Sequence, residues 1–327
     1  METEYKLTKM QIDLTDKCNA ACLFCSRTTN PERVFNIDMT VEDIKKLMKS
    51  DVERVLMCGN YGDASMNRHL FDIIEYLKTT QCIEIRIATN GSAHSPKWWE
   101  RLAKALRPND QVIFAIDGNT AESHESYRKQ TNFDQILKNA QAFIDGGGWA
   151  IWQFILFDYN KDELEGAKKR AQEMGFLSFR TIYSTRNFER GVGTHKVGKK
   201  FYTKIDPMCI KRNRFFVTAK GNVAPCCWAA EDHQVKGIDM PNLNDFDSLH
   251  DLLDSDSWKD YFQGYVDHWK EIEDSKSLNT EHDRSKYPCS LKCGKKFRNL
   301  KEITNFTEDK IFLEDPGDDE NTVSLIV

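Results

Sequence analysis

Three cysteines fall within eight residues, in Cys18-Asn19-Ala20-Ala21-Cys22-Leu23-Phe24-Cys25. Thiolates are the soft ligands that zinc and iron–sulfur clusters select. A short loop carrying three of them can wrap one corner of a cuboidal four-iron cluster, with each sulfur reaching a different iron. Clusters that only carry electrons are normally closed by four thiolates. A triplet leaves one iron open, and an open iron is a place for a substrate or cofactor to bind. Zinc is the competing reading, but a zinc site takes a fourth protein ligand and favours pairs two residues apart. Neither a His nor a fourth Cys stands close to the triplet in the sequence. Chance crowding of inert packing thiols is the weakest account.

A second group lies far along the chain. Eleven residues separate Cys209 from Gly221, and four separate Gly221 from Cys226. Cys227 follows directly, and Cys289 and Cys293 have three residues between them. Four thiolates suit a closed cluster or a structural zinc. Cys226 and Cys227 are alternative ligands, because neighbours on an extended segment point to opposite faces. Cys82, just before a strand, reads as a small buried hydrophobe, and Cys58 reads as packing as well.

Compartment decides whether these thiols stay reduced. Met1-Glu2-Thr3-Glu4 is acidic and polar, which predicts no secretory signal, and the longest apolar stretch, 151–157, contains Gln153. A membrane span needs ~20 apolar residues. The expectation is a cytoplasmic chain whose clustered cysteines are metal or redox ligands rather than disulfides. The 327 residues are 40% hydrophobic, enough for one large domain or two smaller ones. A net charge of −5 gives no general reason to expect nucleic acid or an anionic membrane as partner.

The elements that must position these cysteines follow from two alternating periodicities. Strands are predicted at 10–14, 55–57, 83–88, 112–116, 151–157 and 179–183. Helices are predicted near 42–48, 70–77, 97–106, 133–144 and 161–174, on stripes such as Leu70, Ile73, Ile74 and Leu77. This alternation implies a mostly parallel sheet, since parallel neighbours need crossover helices. The triplet follows the first strand, and α/β sites form at the carboxyl ends of strands. After residue 184 the pattern changes. Residues 187–200 are rich in Gly and basic side chains and read as a connection. Lys220-Gly221 reads as a hairpin turn between 214–219 and 222–225, with helices near 247–253 and 257–272. From Glu314 onward the chain is acidic and reads as a solvated, poorly ordered terminus.

Set after a first strand, the Cys-x3-Cys-x2-Cys loop with Phe24 before its third Cys resembles that of the radical S-adenosylmethionine enzymes, over roughly residues 8–184. The resemblance implies an α/β fold, a partial (β/α)6 TIM-like barrel. It also implies a [4Fe–4S] cluster on Cys18, Cys22 and Cys25 whose open iron chelates S-adenosylmethionine. An electron from the cluster would yield a 5′-deoxyadenosyl radical that abstracts hydrogen from a substrate. An electron donor of the flavodoxin or ferredoxin type is implied as partner. Gly59-Asn60-Tyr61-Gly62-Asp63-Ala64 is similar to the family's Gly-Gly-Glu-Pro segment, with Tyr61, Asp63 and Ala64 in place of its first Gly, its Glu and its Pro. Asp63 would accept from the methionine ammonium. Cofactor contacts are thus implied for Phe24, Gly62, Asp63, for Thr89, Asn90 and Ser92 of the next strand-end turn, and for Asp117 of Ile116-Asp117-Gly118.

The distal cysteines are similar to the short Twitch form of the SPASM auxiliary-cluster domain, here a small C-terminal α+β unit. SPASM domains proper carry seven cysteines and two clusters. The five here imply one auxiliary [4Fe–4S] cluster, held by Cys209, Cys226, Cys289 and Cys293, with Cys227 as the alternate to Cys226. The expected domains are the barrel over 1–190, the auxiliary unit over 191–305 and an acidic tail over 306–327.

With four protein ligands the auxiliary cluster has no open iron, so it would take up the electron left on an oxidised substrate. The expected substrate is a small molecule, a sugar or nucleotide. Radical crosslinking or epimerisation of a peptide is the alternative, and a non-enzymatic zinc module a further one. A glycyl-radical activase fits less well, because such enzymes place extra cysteines soon after the first triplet. No catalytic acid or base is identified. The basic run His195–Arg214 reads as a solvated face, Gly146-Gly147-Gly148 as a helix cap, and Trp98, Trp99, Trp149 and Trp152 as packing.

Overall fold

A computed structural model describes residues 7–183, 207, 209, 214–274, 288–289, 301–305 and 322–326. Six strands pair in parallel in chain order: β1 (Lys9–Ile12), β2 (Arg54–Met57), β3 (Glu84–Thr89), β4 (Gln111–Ala115), β5 (Trp149–Leu156) and β6 (Ser178–Tyr183). Between them run α1 (Ser26–Thr29), α2 (Val41–Met48), α3 (Leu70–Leu77), α4 (Pro96–Ala105), α5 (Ala121–Tyr127), α6 (Phe133–Asp145) and α7 (Leu164–Glu173). This is the α/β partial barrel that the alternating periodicities and the resemblance together imply.

Helix placement follows from local chemistry. Thr40 and Asp43 form a reciprocal capping box that starts α2. The stripe Leu70, Ile73, Ile74 and Leu77 of α3 is wholly buried. It packs in one core with Met10 and Ile12 of β1, Val55 and Met57 of β2, and Ile85 and Ile87 of β3. Alternation along the strands turns Gln11, Arg86 and Gln111, all buried, to the other, concave face. The inner face therefore carries buried polar groups beside apolar residues such as Ile113 and Ile151. Cys82, Trp99 and Trp152 are core residues, and Gly146 caps α6.

Four more strands extend the sheet at both edges. β7 (Arg214–Val217) pairs in parallel with β1, and β8 (Val223–Ala224) returns antiparallel to it through a turn in which Gly221 has φ +85°. β9 (Lys301–Asn305) lies antiparallel to β6, and β10 (Thr322–Ile326) lies parallel to β9. A strand at 322–326 corrects the expectation of a solvated tail: the acidic run before it obscures Thr322-Val323-Ser324-Leu325-Ile326, whose β-branched residues suit a sheet. The helices α8 (Cys227–Lys236), α9 (Leu249–Asp254) and α10 (Asp256–Asp274) complete the described chain. A second core joins Cys209, Phe216, Ala229, Tyr265, Trp269 and Cys289. The 187–200 connection, most of the basic run and Cys293 lie outside the described residues. Among the described residues no helix is long and apolar enough to cross a membrane.

Candidate functional site

The first cysteine loop leaves the carboxyl end of β1 and is pinned from the far side of the barrel. Ala21 N–H donates to the Lys129 carbonyl (2.9 Å), just past α5, and Leu23 N–H to that of Tyr127 (3.0 Å), its last residue. Between Cys22 and Cys25 the chain turns at Phe24, whose φ of 61° is a costly left-handed conformation for a bulky residue. Cys25 then caps α1.

The sulfurs sit among N–H donors. Cys18 Sγ accepts from Ala20 N–H (3.4 Å) and from Asn90 Nδ2 (3.7 Å). Burial, reinforced by the nearby Asp63 carboxylate, pushes the Cys18 thiol up to about 12. Burial also raises the Cys22 thiol, and the Arg128 guanidinium opposes it. Among the described residues no three His, Cys, Asp or Glu side chains close in on one point as ligands of a single ion would. The N–H donors at Cys18 and the guanidinium at Cys22 fit a sulfur-ligated cluster, whose anionic sulfurs such donors stabilise, while Cys25 Sγ faces the Asn60 carbonyl at 3.9 Å.

Three strand-end loops are tied into one knot beside Cys18. Asp63 Oδ1 accepts from Ser65 N–H (3.0 Å), Ser65 Oγ (2.7 Å) and Thr89 Oγ1 (2.9 Å), and Oδ2 from Asn90 N–H (2.7 Å) and Asn90 Nδ2 (2.8 Å). A carboxylate has about four lone-pair sites. Asp63, expected to receive an ammonium directly, is thus occupied by protein donors and holds the ends of β2 and β3 together. Asn90 Nδ2 reaches Asn19 Oδ1 (3.0 Å), Asn19 Nδ2 reaches Ser92 Oγ (2.8 Å), and Ser92 N–H donates back to Asn90 Oδ1 (2.9 Å). Gly62 lets its backbone rest on the end of the β1 segment, where a β-carbon would overlap the Thr15 carbonyl.

Asp117 stands across the barrel mouth, fully buried, and pairs with Arg128 Nε at 2.7 Å. Its Oδ1 accepts from Ile155 N–H (2.7 Å), and its own N–H donates to His124 Nδ1 (3.0 Å). The pair thus links β4 and β5 to Cys22. Buried asparagines, which motif spacing did not reveal, clamp the same loops. Asn67 Nδ2 donates to the carbonyls of Leu14 (2.6 Å) and Met39 (2.9 Å), Asn139 Nδ2 to Gly91 (2.8 Å), and Asn160 Nδ2 to Asp117 (2.9 Å).

In the second group Cys226 is the N-cap of α8, and its sulfur accepts from Ala229 N–H at 3.4 Å. That N-terminus favours a thiolate. Cys209 and Cys289 share a buried core with Tyr265, and Cys226 packs against that core. Cys227 opens the helix itself, and its carbonyl accepts from Asn60 Nδ2 at 2.8 Å. Further bonds seat α8 on the first loop: Ser26 Oγ donates to Glu231, and Arg33 Nη2 to the Val235 carbonyl (3.3 Å).

The family model described as the Radical SAM superfamily matches residues 12–171, and one described as an iron-sulfur cluster-binding domain, SPASM, matches residues 209–294. A probable GTP 3′,8-cyclase of Methanococcus maripaludis is 25% identical over 186 residues, 54% of this chain and 60% of that protein. The subtilosin biosynthesis protein AlbA of Bacillus subtilis is 23% identical over 170 residues, 51% of this chain and 37% of that one. The matches thus span less than two thirds of these relatives. SuiB of Streptococcus suis bound to its precursor peptide SuiA has the same fold at a TM-score of 0.59 and 13% identity, covering 88% of this chain and 70% of that one. The enzyme anSMEcpe with bound AdoMet aligns at a TM-score of 0.55 and 14% identity, covering 78% and 79%.

Proposed function

Because this chain belongs to the radical S-adenosylmethionine superfamily and carries a SPASM region, we propose that a [4Fe–4S] cluster on Cys18, Cys22 and Cys25 supplies the electron that cleaves S-adenosylmethionine, the 5′-deoxyadenosyl radical then taking hydrogen from a small-molecule substrate, a sugar or nucleotide. The observation that carries this is the knot joining Cys18, Asn19, Asp63, Asn90 and Ser92 at the mouth of the barrel. Asp63 serves the methionine end by fixing the loop backbone at Gly62. Thr89, Asn90 and Ser92 present hydroxyl and amide groups at the turn beside it, and on the far side Phe24 bounds the cofactor while Asp117 acts through the Arg128 that it holds. Arg128 sets the charge at Cys22. Preorganised groups of this kind avoid reorganisation when the reaction occurs.

Cys209, Cys226, Cys289 and Cys293 hold the auxiliary cluster in this reading, and it receives the electron that oxidation leaves on the substrate. The setting is the cytoplasm, with a flavodoxin- or ferredoxin-type donor. A peptide substrate is the second reading, favoured by the likeness to SuiB in its peptide-bound form. Anaerobic reconstitution tests the proposal. The chain should bind about eight iron atoms and form 5′-deoxyadenosine. A panel of sugars, nucleotides and peptides, scored by 5′-deoxyadenosine release, separates the substrate readings. Two zinc ions and no iron would overturn both.

A further inference from the structure

The second region holds a buried polar network that this reading leaves unused. His233 of α8 is buried, and each ring nitrogen meets a tyrosine of α10. Nδ1 lies 3.2 Å from the Tyr261 hydroxyl and Nε2 lies 3.0 Å from that of Tyr265. The His233 and Tyr265 rings stack with centroids 5.7 Å apart. Burial keeps the imidazole neutral by lowering its pKa to about 4.

A neutral imidazole has one donor and one acceptor nitrogen. One tyrosine must therefore donate to His233, and the other must accept from it, so the chain of bonds has a direction. In one direction Tyr261 donates to Nδ1 and Nε2–H donates to Tyr265, whose own proton is left for a third group. In the other, Tyr265 spends its proton on Nε2. Direct hydroxyl contact, at 3.5 Å, is a poor substitute. Tyr265 is fully buried in the core that holds Cys209 and Cys289, and Cys226 packs against that core. Anionic sulfurs there select the first direction, because a bond to a charged acceptor is the stronger one and chained bonds polarise each other.

We propose that Tyr261, His233 and Tyr265 are positioning residues in a relay whose last hydroxyl donates to a sulfur of the second cysteine group, stabilising the reduced cluster and making it the better electron acceptor. This rests on the reading that those cysteines hold an iron–sulfur cluster. The proton stays on Tyr265 throughout. Its dipole offsets part of the sulfur charge, and hydrogen bonds to sulfur are one determinant of a cluster's potential.

An EPR-monitored redox titration of the reconstituted full chain tests the relay, after iron and sulfide are counted. Tyr265→Phe should keep its iron, leave the first cluster's potential unchanged, and lower the reduced-to-oxidised ratio of the second about tenfold at a fixed ambient potential. Tyr261→Phe should lower it less, in the same direction. An unchanged second potential in a fully loaded Tyr265→Phe chain overturns the relay. If that variant loses its cluster, Tyr261→Phe decides, and an unchanged potential there overturns the relay too. Zinc, or no metal, at the second site of the unmodified chain overturns instead the cluster reading beneath it.

Discussion

The first cysteine group occupies eight consecutive residues of one loop, whereas the second draws on cysteines spread from 209 to 293. They are also held differently. Backbone bonds to the C-terminal end of α5 and a network of small polar side chains fix the first. Aromatic packing around Tyr265 and Trp269, with one helix N-terminus, surrounds the second. The difference suits the two roles proposed above. A site that binds a polar cofactor needs hydrogen-bonding groups at its mouth, while a cluster that only took up an electron would be served by a shielded shell. The contrast also has an entropic side. Bringing distant cysteines together closes longer loops, a cost that the second core must offset.

Removing the first group by Cys18→Ala, Cys22→Ala and Cys25→Ala together gives the largest effect. 5′-Deoxyadenosine formation should vanish while about half of the iron remains, read by product assay and iron analysis. Loss of all iron would show that the two groups do not assemble separately. Next comes the choice within the second group. Cys226→Ser should lose the auxiliary EPR signal, whereas Cys227→Ser, which keeps the carbonyl that Asn60 contacts, should retain it. The opposite pattern would move the ligand into the helix.

Arg128→Leu probes the first region alone. It strands the fully buried Asp117 carboxylate, which Arg128 now meets at 2.7 Å. Breaking such a pair costs about 3–5 kcal/mol, measurable by chemical denaturation. The smallest effect compares one histidine from each region. His124 is pushed down to about 3 and His233 to about 4, both mainly by burial. The unfolded imidazoles protonate near pH 6.5 while the folded ones resist. Stability is therefore complete above pH 6.5 and falls as pH drops, by about 1 kcal/mol per histidine between pH 6.5 and 5.5. His124→Gln and His233→Gln should each flatten that slope. If only one does, only one of the two regions unfolds cooperatively with the rest.

Much of this was legible in the residues. The six parallel strands and the triplet after the first of them follow from periodicity and spacing, because each is set by neighbours in the chain. The helix at 227–236 was not, since Cys227-Trp228-Ala229-Ala230 shows little apolar periodicity and its burial depends on α10 and the first loop. Asp63 was legible as part of a strand-end turn, but its hydrogen-bond partners were not. A sequence does not show that Ser65, Thr89 and Asn90 already fill a carboxylate. The clamping asparagines at 67, 139 and 160 escaped for the same reason: each acts through carbonyls far away in the chain.

The strands that flank the six-stranded core come late. β7 covers the free side of β1, and β9 covers that of β6. A ribosome making this protein therefore finishes β6 with both borders bare; β7 follows only at Arg214–Val217 and β9 only at Lys301–Asn305. At bacterial or eukaryotic speeds β6 waits roughly 6–24 s for β9. Bare sheet borders recruit other chains, so the nascent protein is most prone to aggregate during that interval, and chaperones have most to shield then.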